Sequence, residues 1–324
     1  MLLRLVPEDT NIKFLAMRKV ALVFSTLLII GSLGLFAVNG LNLGIDFKGG
    51  ITLEVGMENK AVPLATVRST VGSLGLGDVS IKEFGSETEV LIRIERQPGD
   101  DAAQSVAMTN VRTALTAAIP DLHFRQGNII GPVVSGELAQ DGILAVTIAV
   151  MAVLIYIWFR FEWQFGLGAV IALVHDVLLT VGFFAITRLE FNLTIIAALL
   201  TIVGYSLNDT VVVYDRVREN IRKFRKKPME ETLDLSLNQT LSRTVMTSVT
   251  TLLALFALFF FGGEVISGFT AAMIWGVVVG TYSSVFVASP MLMIFKVRAE
   301  SLLLDDDGDD PTVDKSKLTP FDQL

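Results

Sequence analysis

Four ionisable side chains stand in stretches otherwise apolar enough to cross a bilayer. Asp209 lies in GYSLNDTVVVY (204–214), Arg243 in LSRTVMT (241–247), and His175 and Asp176 sit side by side near the middle of a third apolar run. A carboxylate at the centre of a spanning helix costs about 2.5–3.5 kcal/mol on insertion scales, so it has either a function or a close partner. Tyr205 and Ser206 precede Asp209 by one helical turn, and Asn208 and Thr210 flank it, which predicts a polar niche around the acid. Arg243, at the inner end of its span, is the expected counter-charge. Desolvation favours the neutral acid and a nearby guanidinium favours the carboxylate, so an Arg that moves would switch the acid between holding and releasing a proton. A static ion pair pinning two helices is the plainer alternative. His175 and Asp176 project about 100° apart on a helix, which predicts that they do not share one close partner. Asp176 is then either a second member of a proton relay or hydrogen-bonding glue between helices.

Composition narrows the chemistry further. The 324 residues are 52% hydrophobic and only 18% charged, with a mean hydropathy of +0.60. An ordinary water-soluble enzyme is excluded by that balance. There is no cysteine and there are two histidines, which argues against disulfides, thiolate nucleophiles and zinc sites. His123 lacks ligand-spaced neighbours, and no nucleophile–base pair or phosphate loop is present; the chain reads as a non-enzyme that needs no metal or cofactor. The net charge of −7 owes much to the acidic run Asp305–Asp310, a solvated tail, and does not point to nucleic acid.

Six apolar segments position these residues: Val20–Val38, Gly142–Phe159, Phe165–Thr187, Phe191–Val213, Thr244–Phe261 and Gly268–Phe295, each near the ~20 residues a helix needs to span the hydrocarbon. The first follows the basic residues Lys13, Arg18 and Lys19 and reads as an anchor rather than a cleaved signal, because the run is long and LFAVNGLNLG lacks a small-x-small site. Asn11–Lys19 reads as a short interfacial helix or a plain flank. Arg216, Arg218, Arg222, Lys223, Arg225, Lys226 and Lys227 crowd the basic 215–243 loop and predict that it is cytoplasmic, with the 1–19 and 296–324 termini on the same side. In the last span Gly276 and Gly280 form a GxxxG pair, and Ser283 and Ser284 continue the small-residue face, which implies tight packing.

The segment 39–140 has the pattern of a water-soluble α+β domain. Ile51, Leu53 and Val55 alternate with polar residues, and the same period of two recurs at 79–84 and 90–94. Leu64, Val67, Val71 and Leu74 follow helical spacing after Pro63, as do Ala107, Val111, Leu115 and Ala118. With a last strand near Leu122–Arg125 the order is β-α-β-β-α-β, the ferredoxin-like arrangement, with one sheet face left available to bind. The glycines of GIDFKGG (44–50) let the chain turn out of the membrane, and Asp46 and Lys48 are expected to be surface or interface charges.

Several long motifs in register resemble the SecD/SecF family of bacterial protein-export membrane proteins, and its SecF-like members in particular. These are GIDFKGG, IIGPVVSGEL, the RFEW turn, LVHDV, GYSLNDTVVVYDRVREN, LSRT and FFGGEVISGFTAAMIWGVVVGTYSSVFVASP, spread from about Lys13 to Phe295. The resemblance implies a six-span polytopic membrane protein, half of a pseudo-symmetric bundle of the resistance-nodulation-division type, carrying a ferredoxin-like periplasmic domain. It implies a SecD-like partner subunit, association with the SecYEG translocon and with YajC and YidC, and an unfolded preprotein as substrate. The transmembrane proton gradient would be the energy source. Within the family the aspartate of GYSLNDT and the arginine of LSRT are tied to proton conduction, and they match Asp209 and Arg243. A proton-coupled exporter of small or lipidic molecules is the competing reading, and a non-energised scaffold is a third.

Overall fold

The computed structural model describes residues 7, 10–58, 60–84 and 86–297, so nearly all of the acidic tail lies outside the described residues. The first long helix is α1 (Arg18–Asn39). A short turn of helix, α2 (Ile45–Lys48), then leads into β1 (Gly50–Gly56), α3 (Leu64–Gly72), β2 (Val79–Phe84), β3 (Ser86–Glu95), α4 (Asp101–Ala118) and β4 (His123–Ile130). The four strands form one antiparallel sheet in the order β2-β3-β1-β4, which is the ferredoxin-like topology. Its core is the set read from the alternation: Ile51, Leu53 and Val55 from β1 and Val90, Ile92 and Ile94 from β3 pack on Val67 and Val71 of α3 and Val111 and Leu115 of α4. Asp100 caps α4 by accepting from the Ala103 N–H. β4 is longer than its apolar pattern implies, because it pairs with β1 along the whole strand, from Gly56↔His123 to Gly50↔Ile130. Backbone pairing extends a strand past the point where its side chains signal it.

The remaining helices are α5 (Pro132–Arg160), α6 (Trp163–Thr187), α7 (Leu193–Lys223), α8 (Met229–Phe261), α9 (Glu264–Ser283) and α10 (Ser289–Ile294), the last two joined by a π-helical turn over Ser284–Ala288. Counting α9 to α10 as one crossing, six helical segments among the described residues are long and apolar enough to span a membrane. The chain is a multi-pass membrane protein. Much of the 215–243 segment expected as a loop is helix: α7 runs on to Lys223 and α8 begins at Met229. These extensions continue because they bury a seam of their own, with Val217, Ile221, Leu233 and Leu237 in one core and Asn220 Nδ2 donating to Ser236 and Gln239, each at 2.8 Å. Within Asn11–Lys19 the helical residues are a short 3₁₀ turn and the start of α1. A 3₁₀ turn, Phe14–Met17, docks on α8, where the N–H groups of Ile12 and Leu15 donate to Asn238 Oδ1 and Asp234 Oδ1, both at 2.9 Å. Phe14 and Leu15 are buried in this contact.

The sheet face expected to be available is partly occupied by the protein itself. Leu91 on that face is only 6% exposed, and Arg93 and Lys82 reach Glu190 in the turn between α6 and α7, at 2.5 and 3.7 Å.

Candidate functional site

The polar residues of α6, α7 and α9 meet in the middle of the bundle because small side chains let these helices approach. A β-carbon on Gly280 would lie 3.0 Å from Ser206 Cβ, and one on Gly276 would run into Ile202, both on α7. The GxxxG pair of the sequence is therefore the α7-facing seam of α9. At this seam Asp176 is fully enclosed, at 1% exposure, and rich in donors. Ser206 Oγ and Ser283 Oγ donate to its Oδ2 at 2.5 and 2.8 Å, and His175 Nδ1 lies 2.8 Å from its Oδ1.

One sequence expectation changes here, at Ser206. His175 and Asp176 are both buried and contact each other across their offset of about 100°, and beyond that contact their hydrogen-bond and ring partners differ. The His175 ring stacks on Tyr282 of α9, whose hydroxyl contacts Ser25 Oγ of α1 at 3.0 Å and donates to the Ala21 carbonyl. Ser206, expected beside Asp209, serves Asp176 instead. The other members of the expected niche also look elsewhere. Tyr205 donates to Thr251 at 3.4 Å, Thr210 contacts Ser284 Oγ at 2.9 Å, and Asn208 is exposed.

Asp209 is buried as well, but among the described residues its Oδ2 has no hydrogen-bond partner, and the same holds for Thr244 Oγ1 on α8. The charge of Arg243 acts on Asp209 from α8, yet the described residues hold no ion pair between the two, and Arg243 itself is exposed. Sequence reasoning missed how the π-helical turn contributes. It follows Ser283 of α9, which bonds to Asp176, begins with Ser284, which contacts Thr210, and accepts from Tyr214 OH at Ala288 O at 3.0 Å at its far end. The hydroxyl residues Thr281, Tyr282, Ser283 and Ser284 in succession were its sequence signal.

The outer surfaces of the helices differ in kind. α1 and α5 present Val23, Phe24, Leu27, Ile30, Ile148, Met151 and Ile155, as lipid-facing helices do. The exposed stripe of α7 is Thr194, Ala197, Thr201, Gly204 and Asn208, whereas adjacent α8 mixes exposed Arg243 and Thr250 with exposed Met246 and Leu253. Small and polar residues at bilayer depth mark a helix–helix surface. In the chain alone it is uncovered.

A ferredoxin-like domain inserted between the first two of six spanning helices, with carboxylates buried in the bundle and one polar flank left open, defines a multi-pass membrane protein built as part of a larger assembly. Comparison with known families gives the particular one. The model described as "Protein export membrane protein SecD/SecF, C-terminal" matches residues 110–298, and "SecD/SecF GG Motif" matches residues 34–61. The chain belongs to the SecD/SecF protein-export family. A relative from Rickettsia bellii, named protein translocase subunit SecF, is 45% identical over 90% of this chain and 96% of its own length. One of the same name from Rhodobacter capsulatus is 48% identical, covering 90% of this chain and 91% of its own. The crystal structure of SecDF from Thermus thermophilus, described as a translocon-associated membrane protein, matches with a TM-score of 0.75 and 35% identity over 90% of this chain. A super-membrane-facing form of SecDF gives 0.69 and 34% over 92%. The chain spans only 40% of each solved SecDF chain.

Proposed function

We propose that this chain is the smaller half of a two-chain machine in the Sec pathway that uses the transmembrane proton gradient to aid late-stage export of unfolded preproteins. It has no bond-making chemistry of its own. A SecD-like subunit covers the open α7–α8 flank and supplies what the solved SecDF chains carry beyond the matched 40%. The pair works beside the SecYEG translocon, with YajC and YidC as further partners. Both termini and the α7–α8 connection lie in the cytoplasm of a bacterial inner membrane, held there by the basic residues between Arg216 and Lys227; the sheet domain is periplasmic.

The observation that carries this reading is the uncovered stripe of small and polar residues on α7 beside a buried carboxylate with an oxygen unpartnered among the described residues. Covering the stripe with a second helical bundle brings Asp209 and Arg243 into a path shared by the two chains. A proton arriving at Asp209 removes its attraction for Arg243 and changes how α7 and α8 pack; release restores it. One charge crossing 100 mV makes about 2.3 kcal/mol available, enough to bias two arrangements a few kcal/mol apart. Asp176 and His175 sit one helix away and hold α6, α7 and α9 in register.

Co-reconstitution of the chain with its SecD-like partner and a translocon in vesicles tests the reading. Asp209→Asn and Arg243→Met are each expected to lower proton conduction and gradient-dependent export together. Wild-type levels of both in both variants would overturn it. An arrested preprotein that crosslinks to the sheet domain supports export, whereas gradient-driven efflux of a lipidic dye with no such crosslink would establish the exporter reading instead.

A further inference from the structure

The turn between α6 and α7, Arg188–Asn192, is bound to the sheet domain in two different ways. The first is a backbone seam with the segment leading from α1 into β1. Phe191 N donates to Asn42 O at 2.7 Å and Gly44 N to Phe191 O at 2.8 Å. Arg188 Nη1 donates to the carbonyls of Asn39 and Gly40, and Asp46 Oδ2 accepts from Leu193 N at the first turn of α7. Phe47 packs on Phe191. A β-carbon on Gly44 would crowd this seam, lying 2.7 Å from Glu190 Oε1 and 3.2 Å from Asn192 Cβ. The second is electrostatic and reaches the sheet itself. Glu190, 17% exposed, meets Arg93 of β3 and Lys82 of β2, which are 20% and 34% exposed.

The two attachments differ mechanically. The seam holds the domain's entry segment, which would allow the sheet to pivot about it; Glu190 fixes the sheet's angle. Glu190 is also placed where movement in the bundle arrives, because the turn joins the helix of Asp176 to the helix of Asp209.

We propose that Glu190 is a positioning residue that makes the sheet domain turn with the α6–α7 hairpin, so that its ion pairs with Arg93 and Lys82 are the coupling between the bundle and the domain. The seam tethers and the carboxylate steers. Loss of the carboxylate uncouples the two: charge still moves through the bundle and the domain no longer follows. This inference rests on the proton-driven reading for its effect on export, but its structural half stands without it.

The absence of cysteine allows a clean distance measurement in the full chain. Asn110→Cys on α4 and Ile186→Cys at the domain end of α6, spin-labelled and read by pulsed EPR together with the SecD-like partner, are expected to give one narrow distance distribution. Glu190→Gln is expected to broaden it at least twofold, and Glu190→Arg with Arg93→Glu to narrow it again, a rescue that damage to folding would not produce. In vesicles, Glu190→Gln is expected to keep proton conduction within twofold of wild type while lowering gradient-dependent export at least tenfold, with recovery in the charge-swapped pair. An unchanged EPR distribution in Glu190→Gln, or a parallel fall in conduction and export with no rescue by the swap, overturns the coupling role. Failure of the proton-driven reading would look different: no conduction in the wild type, with the EPR response to Glu190→Gln intact.

Discussion

Two carboxylates are buried in the same bundle and their surroundings differ in kind. Asp176 has two serine hydroxyls and an imidazole nitrogen around its oxygens, contributed by three helices. Asp209, on the neighbouring helix, has an oxygen with no partner and a guanidinium that acts on it without pairing. A carboxylate surrounded by donors holds its neighbours in place. One with an unfilled oxygen is costly at rest and free to change. Depth of burial therefore does not separate the two acids; the number of donors around each does.

The comparison is most exposed to a truncation at the well-bonded acid. Asp176→Ala removes the acceptor for Ser206, Ser283 and His175 at once, and a loss of about 3–5 kcal/mol is expected from groups left buried without a partner. Thermal unfolding in detergent reads it; a variant as stable as the wild type would show that the knot holds nothing together. Gly280→Val attacks the same knot from α9. Its added atoms would press on Ser206, and overpacking of this kind costs about 1–3 kcal/mol, readable in the same melt.

Asp209→Asn should separate the two acids. Proton conduction is expected to fall at least tenfold, equivalent to about 1.4 kcal/mol in a barrier, while the melting behaviour shifts by no more than about 0.5 kcal/mol because no hydrogen bond to Oδ2 is lost. A large loss of stability with conduction intact would reverse the assignment of roles. The smallest effect belongs to Ser283→Ala, about 0.6 kcal/mol, the average for a single interhelical hydrogen bond in a membrane, with conduction unchanged.

Much of the architecture could be read before any coordinates. The order β-α-β-β-α-β follows from periods of two and of 3.6 that each element carries in its own residues, and the spans from apolar runs of sufficient length. Asp209 and Arg243 stood out because a charge in an apolar run is locally conspicuous. The partners of these residues were not legible. Ser206 precedes Asp209 by three positions and so looked like its neighbour, yet it bonds to Asp176, thirty positions away, because the close approach of α6 and α7 offers it a shorter reach. Glu190 carried no signal at all: an acid in a polar turn is what any turn would hold, and only the docking of β2 and β3 on that turn gives it two cationic partners.

The amino-acid sequence by itself determined the six spans, the inserted domain and which few charges the bilayer must accommodate, since periodicity, run length and the cost of burying charge are properties of short stretches of chain. The tertiary structure alone decided which acid is saturated and which is left open, which helix flank remains uncovered, and where the domain is fastened to the bundle. Those are outcomes of contacts between residues far apart in the chain, and which donor reaches which acceptor is settled only when the helices have found their separations.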